Sequence, residues 1–396
     1  MTHVPIGFSE LVKPLDPYLF LSSTQGRVAR HFPGDEQRFE NLFSFSELNR
    51  LLGMWRVWTD RSFKVVLDGR VLSGEEFCVA GQDRSGQTAL LLSAAKLEPL
   101  LERGATVILD TMESLSSEVR ELANAMQSAL GGTVICNAYC SFAAHAGFVS
   151  HFDSTDVFAL QISGSKRWRI YEGRAVEPVQ RPGHAFSSFS HEHHENAKSK
   201  VLAEVMMTPG DVLYLPRGQY HDALAASDAS LHLSFGITRA TGEDFVGVLV
   251  DSLVDDPLFR RELAHFDDHN ALVEQLQEIG ARLAAMATSP ELPAQVASWQ
   301  RDRVFRDLSS AMQIPARVSQ TRVRVRRGAG IEWDGQALRV SGVAALSQPD
   351  DAAVVDWMVT REIFLATDLV RVCGLEEDAA LLTLERLRNA GLIEPV

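Results

Sequence analysis

Cysteine is scarce in this chain of 396 residues. Its four cysteines, Cys78, Cys136, Cys140 and Cys373, form no C-x-x-C pair, so nothing implies a disulfide framework and a reducing, cytoplasmic setting is expected. No apolar run approaches the roughly 18 residues that a membrane span needs. The opening MTHVPIGFSELVKP lacks a charged segment followed by an apolar one, so no secretion signal is expected. Positive charge is also in deficit: 38 Lys and Arg stand against 52 Asp and Glu, a net charge of −14. That balance argues against a general nucleic-acid binder; it fits a cationic substrate or partner, and equally fits solubility alone. What is present is globular material, 45 % hydrophobic and 23 % charged, in a chain long enough for two or three domains.

Local signals divide the chain. Ser44 or Ser46 opens a short helix that Gly53 stops, and Lys64-Val65-Val66-Leu67 is a strand cut by the turn dipeptide Asp68-Gly69. The stretch LLSAAKLEPLLERG, 91–104, predicts a helix, ATVILD a buried strand, and Ser116-Ser117 the cap of an amphipathic helix closed by Gly131-Gly132. From there to about residue 240 the rhythm is β. TVICNAYC, DVFALQI, KRWRIY, VLAEVMM, DVLYL and SLHLSFGI read as strands, with turns at Ser163-Gly164, Pro209-Gly210-Asp211 and Pro216-Arg217-Gly218. Many short strands joined by tight turns predict a sandwich or barrel.

Three other stretches stand apart. RPGHAFSSFSHEHHENAKSK, 181–200, is polar and His-rich; His191, His193 and His194 could bind a metal, but an exposed insertion loop is the expectation because no strand fixes them. Residues 241–312 are helical in period, as a closed bundle or a dimerisation surface. Residues 313–396 begin with the alternating strand TRVRVRR, read as one arginine face rather than a nucleic-acid patch, and continue as helix–turn–helix in winged-helix-like rhythm. Ten acidic residues against four arginines in 350–396 favour a structural or protein-contacting role there, since an acidic surface repels phosphate.

The chemistry centres on His151-Phe152-Asp153. On extended backbone, residues two apart point to one face, and a second histidine, His221, follows the rigid turn PRG. Two imidazoles and one carboxylate that leave coordination positions open are the facial triad of non-haem Fe(II) oxygenases. A cupin-type double-stranded barrel would hold such a metal between its sheets at the open end. Lys166, in GSKRWRIY, is expected to point inward with Trp168 and Ile170, while Arg167 and Arg169 face out. A buried lysine is costly without an anion, so a dicarboxylate such as 2-oxoglutarate is the expected companion. His145 has no acid two residues on, and His232, in LHLSF, reads as core.

In order and spacing, NAYCSF…HFDSTDVFALQISGSKRWRIYE…MTPGDVLYLPRGQYHDA…SLHLSFGI resembles the JmjC-type 2-oxoglutarate oxygenases of the ribosomal-oxygenase group. The resemblance implies a mixed α+β fold: a double-stranded β-helix (cupin/JmjC) catalytic domain over 1–240, with its core at 95–240. A helical dimerisation segment, 241–312, and a winged-helix-like domain, 313–396, would follow. His151, Asp153 and His221 match the iron ligands, Lys166 the residue that binds the 2-oxoglutarate side-chain carboxylate, and Asn137 and Tyr139 positions lining the cosubstrate and substrate pocket. The resemblance implies Fe(II), 2-oxoglutarate and O₂ as cofactor and cosubstrates, and hydroxylation of Arg or His in a protein. Substrate and partners would be a basic protein or peptide and a second copy of the chain, with no membrane or nucleic acid. Other readings are the same chemistry on a biosynthetic peptide or free amino acid, demethylation, and a non-catalytic cupin-like scaffold. Two features depart from the group: SFAAHAGFVS before His151, where members often carry a Gly- and Pro-rich loop, and the long insertion 181–200.

Overall fold

A computed structural model describes residues 6–83, 85–142, 150–306 and shorter stretches between 322 and 395. His145, most of the segment preceding His151, and Gly391 lie outside the described residues. The chain divides into two compact units, Met1–Asp307 and Leu308–Val396.

Among the described residues, the first unit has thirteen strands: β1 (Arg30–Phe32), β2 (Phe63–Leu67), β3 (Arg70–Val71), β4 (Cys78–Gln82), β5 (Thr88–Leu92), β6 (Thr106–Leu109), β7 (Thr133–Phe142), β8 (Asp156–Ser163), β9 (Lys166–Arg174), β10 (Val201–Met207), β11 (Val212–Leu215), β12 (Gln219–Ala225) and β13 (Ala229–Thr238). Eight form one antiparallel sheet in the order β1-β11-β8-β13-β7-β6-β2-β3, and β10-β9-β12 form a second. Between β2 and β3, Asp68 and Gly69 both have positive φ, 52° and 76°, the backbone of a tight primed turn. The strand β5 takes Leu91 and Leu92 out of the helix expected from residue 91; that helix spans Ala94–Glu102, after Ser93. Pairing of Val79 with Leu91 and Cys78 with Leu92 overrides a periodicity that a short apolar run cannot settle.

Strand alternation sorts side chains onto two faces of the large sheet. Cys136, Ala138 and Cys140 of β7, Phe158 and Leu160 of β8 and Leu231, Leu233 and Phe235 of β13 enter the main core. The helix Ser117–Leu130 covers that core with Val119, Leu122, Ala123 and Met126; the Ser116 hydroxyl caps it and Gly131 closes it at φ 67°. The opposite face meets the smaller sheet, where Val157, Ala159, Leu213 and Leu215 pack on Trp168 and Ile170. The barrel interior therefore receives the alternate residues Asn137, Tyr139, Ser141, His232, Lys166 and Trp168.

Residues 242–306 are helical: Gly242–Leu253, Pro257–Arg260, His269–Ala287 and Leu292–Arg306. In the second unit, strands Ile363–Leu365, Arg322–Val325 and Ile393–Pro395 form a sheet beside helices Ala366–Cys373 and Glu377–Asn389. Val323 and Val325 enter its apolar core while Arg322 is exposed, so the alternating arginine strand forms as expected. A second sheet comprises Ile331–Trp333, Leu338–Val340 and Val343–Leu346.

Candidate metal and cosubstrate site

His151 and Asp153 lie on extended chain just before β8, and His221 is on β12. The two segments are stitched by reciprocal backbone hydrogen bonds: His151 N–H donates to His221 O at 2.9 Å, and His221 N–H to His151 O at 2.8 Å. A further bond, from Gly218 N–H to Asp153 O at 2.9 Å, ties the PRG turn to the same segment. Gly218 has φ 85°, and a Cβ there would fall 2.2 Å from Ala175 O, so this turn needs glycine.

One ligand atom each from His151, Asp153 and His221 comes within 4.8 Å of the others. His221 Nε2 is 3.5 Å from Asp153 Oδ2, and the two imidazoles lie 4.5 Å apart. His221 Nδ1 donates to Gln219 O at 2.9 Å, which fixes the tautomer and turns Nε2 toward the other two ligands. Burial, reinforced by the charge of His151, pushes the His221 imidazole down to about 4, favouring the neutral ring that a metal requires. The donor set suits a divalent transition metal with open positions.

Lys166 lies four residues along β9 from Ile170, the register partner of His221. Its ammonium is buried, 4 % exposed, and points inward as expected, whereas Arg167 and Arg169 are exposed. Its partners are Ser141 Oγ at 3.1 Å and His232 Nδ1 at 3.3 Å. Among the described residues no carboxylate pairs with it, and burial pushes it down to about 7. Beside it, the Trp168 indole N–H is buried without a hydrogen-bond partner, its ring stacked 5.8 Å from that of His221. A buried ammonium lacking a counter-anion, next to an orphaned donor, fits a bound anion.

Asn137 Oδ1 accepts from Thr111 N–H at 3.2 Å, and the Asn137 side chain also bonds the Tyr139 hydroxyl, which faces the charges of Asp153 and Asp110. The Tyr139 ring stacks on His232 at 4.8 Å. His232 is buried, as expected of a core residue, but its core position is also the wall beside Lys166. Ser141 and His232 were the contacts that sequence reasoning missed. Ser141 was within reach, lying two residues beyond Tyr139 on the same strand face, whereas His232 meets Lys166 only through sheet pairing.

The insertion 181–200 departs from expectation. Instead of an exposed loop it forms a single-turn helix, Phe186–Ser188, and a helix, His191–Lys198, capped by Ser190. His191 and His193 are exposed, but His194 is buried, hydrogen-bonded at both ring nitrogens and not among the three clustered residues His151, Asp153 and His221. Ser190 caps the helix locally, whereas His194 is buried by its stack on Phe186 and its hydrogen bond to the distant Tyr220.

A double-stranded β-helix carrying two histidines and an aspartate at its mouth is the architecture of a cupin-type metal protein. Residues 111–245 match the family model described as JmjC domain. "Bifunctional lysine-specific demethylase and histidyl-hydroxylase NO66" of Dictyostelium discoideum is 31 % identical over 156 residues, 39 % of this chain and 29 % of that protein. "Ribosomal oxygenase 2" of Mus musculus is 24 % identical over 250 residues, 62 % of this chain and 50 % of that protein. The chain thus spans half or less of the length of these curated relatives. Among solved structures it is similar in fold to E. coli YcfD, with a TM-score of 0.55 at 16 % identity, covering 96 % of this chain and 98 % of that one. Another YcfD structure, described as a ribosomal oxygenase in complex with cobalt and 2-oxoglutarate, has a TM-score of 0.51 at 16 % identity over the same shares.

Proposed function

We propose that this chain is an Fe(II)- and 2-oxoglutarate-dependent oxygenase that hydroxylates an arginine or histidine side chain in a protein, with a ribosomal protein as the substrate class. The observation that carries the reading is a His-Asp-His cluster within 4.8 Å at the barrel mouth, with a buried lysine, unpaired with any carboxylate of the described residues, farther along the same sheet. The names of the NO66 and ribosomal-oxygenase relatives support the substrate class.

His151, Asp153 and His221 would hold the metal, and Lys166 the distal carboxylate of 2-oxoglutarate. Bound iron would supply oxidation of a substrate C–H bond by O₂, coupled to conversion of 2-oxoglutarate to succinate and CO₂. The chain's own part is positioning and the exclusion of water. Gln219 O orients His221, and Ser141 and His232 hold the Lys166 ammonium. Asn137 and Tyr139 line the pocket from β7. A basic substrate is supported by the net charge of −14.

The helical segment 241–312 is assigned to dimerisation, supported by exposed Val246, Val250 and Val254, spaced four residues apart, and by exposed Leu263, Phe266 and Leu276. Residues 313–396 are assigned as a winged-helix-like domain with a protein-contacting role. No helix among the described residues is long and apolar enough to cross a membrane, and cytoplasmic residence is part of the same proposal.

The test is anaerobic titration with Fe(II) and 2-oxoglutarate. Wild type should develop a weak visible charge-transfer band that Asp153→Ala abolishes and Lys166→Ala weakens. Folded wild type without a band overturns the reading. Turnover with ribosomal proteins, against short peptides and free amino acids, should add one oxygen atom, read by mass spectrometry, to a protein only.

A further inference from the structure

The His-rich insertion contacts side chains on both sides of His151 and beside His221. Its helix His191–Lys198 reaches Ser150, immediately before His151, by two side chains. Lys198 Nζ donates to Ser150 Oγ at 3.1 Å and to Glu195 Oε1 at 2.7 Å, while Ser150 Oγ lies 3.4 Å from the same Glu195 oxygen. Lys198 also sits 5.2 Å over the Tyr171 ring, and Tyr171 donates to Asp222, the residue after His221, at 2.5 Å.

Immediately after His151, Phe152 is held from the same insertion. Phe152 packs edge-on against Phe186 at 5.3 Å and against Tyr220 at 5.2 Å. The Phe186 ring also meets the His151 ring edge-on at 6.2 Å. Behind Phe186 lies His194, stacked on it at 3.8 Å with the planes 14° apart. His194 Nε2 donates to Phe186 O at 3.0 Å, which leaves Nδ1 to accept from the Tyr220 hydroxyl at 2.8 Å. Burial favours the neutral ring this pattern needs. His194 is 5 % exposed and does not face the metal cluster, so it acts only through its neighbours.

We propose that the 181–198 insertion is a clamp that positions the metal centre, with His194 and Lys198 as its two positioning residues. His194 fixes Phe186 against His151 and Phe152 and ties the insertion to Tyr220. Lys198 fixes Ser150. Together they restrain residues 150, 152 and 220, each adjacent in sequence to a ligand-bearing residue, so the histidines are presented in one arrangement before a metal binds. Groups that orient metal ligands typically contribute about 10- to 100-fold in affinity. The inference rests on the reading of His151, Asp153 and His221 as metal ligands.

Cobalt(II) titration of the full chain tests it, following the visible ligand-field absorption and the dissociation constant. His194→Ala and Lys198→Met should each fold, by far-ultraviolet circular dichroism, yet bind cobalt about tenfold or more weakly, with altered band intensity. Lys198→Arg should restore the affinity lost in Lys198→Met, which loss of bulk stability alone would not predict. If His194→Ala fails to fold, the Lys198 pair carries the test, since Lys198 lies at the edge of the cluster. Wild-type binding with unchanged affinity and spectrum in folded Lys198→Met and His194→Ala overturns the clamp and leaves the metal assignment standing. Folded wild type that binds no cobalt overturns the metal assignment, and the clamp with it.

Discussion

At the scale of single residues, Lys166 is the most informative side chain. Its ammonium titrates near 7 because burial disfavours the charge, whereas in the unfolded chain the same group holds its proton to about 10.5. The unfolded state therefore binds more protons between about 7 and 10.5, and the stability of the ligand-free protein should rise with pH across that window. Occupation by a dicarboxylate reverses the preference and draws a proton in. Affinity for 2-oxoglutarate should consequently fall as pH rises above about 7, with net proton uptake on binding. Calorimetry in buffers of different ionisation enthalpy measures that uptake directly; a pH-independent affinity without proton uptake is incompatible with Lys166 as the anchor. Asp153→Ala is argued at the same scale. It removes the only carboxylate of the triad from a partly exposed site, 40 % exposed at the side chain. The expected outcome is loss of succinate formation by more than the roughly 10- to 100-fold typical of an outer-shell partner, with the melting temperature nearly unchanged.

At the scale of elements, the PRG turn before β12 links local sequence to the site. Gly218 combines φ 85° with a Cβ position 2.2 Å from Ala175 O, and its N–H bonds Asp153 O. Gly218→Ala should displace the turn, lower the melting temperature by several degrees, and weaken cobalt binding, because Asp153 and His221 are both tied to it. Ser116→Ala should cost about 1 kcal/mol of stability through loss of the cap on Val119 N–H, without moving the cobalt spectrum, since that helix packs on the face of the sheet opposite the barrel interior. Denaturant unfolding measures both. The contrast matters: equal effects of the two variants on metal binding would mean that global stability, rather than the turn, sets the ligand geometry.

At the scale of the whole molecule, every candidate site residue belongs to Met1–Asp307. A chain ending at residue 307 should retain the Fe(II)/2-oxoglutarate band, and a loss in a folded truncation would assign the second unit a part in the site. The exposed valines at 246, 250 and 254 lead to a separate expectation. Sedimentation should report a dimer, and Val250→Glu should shift it toward monomer because a charge would replace apolar surface at the contact.

Much of this was determined by the sequence alone because its causes are local. Period-two alternation placed Lys166, Trp168 and Ile170 on the inside of β9 and the arginines outside. Turn residues marked the hairpins, and Ser116 and Gly131 marked helix ends, while either Ser44 or Ser46 fits the sequence as a cap and the structure uses Ser44. The HxD spacing and His221 stood out as candidate ligands because metal chemistry restricts residue type. Tertiary structure decided what depends on pairing between distant segments. His232 became the neighbour of Lys166 through the register of β13 with β7 and β8, Leu90–Leu92 became a strand through its partner β4, and His194 left the surface because Phe186 and Tyr220 gave it a stack and two hydrogen bonds. No local pattern encodes those contacts. They are set by which strands pair and in what register, and the free energy that selects them is shared over the whole buried core.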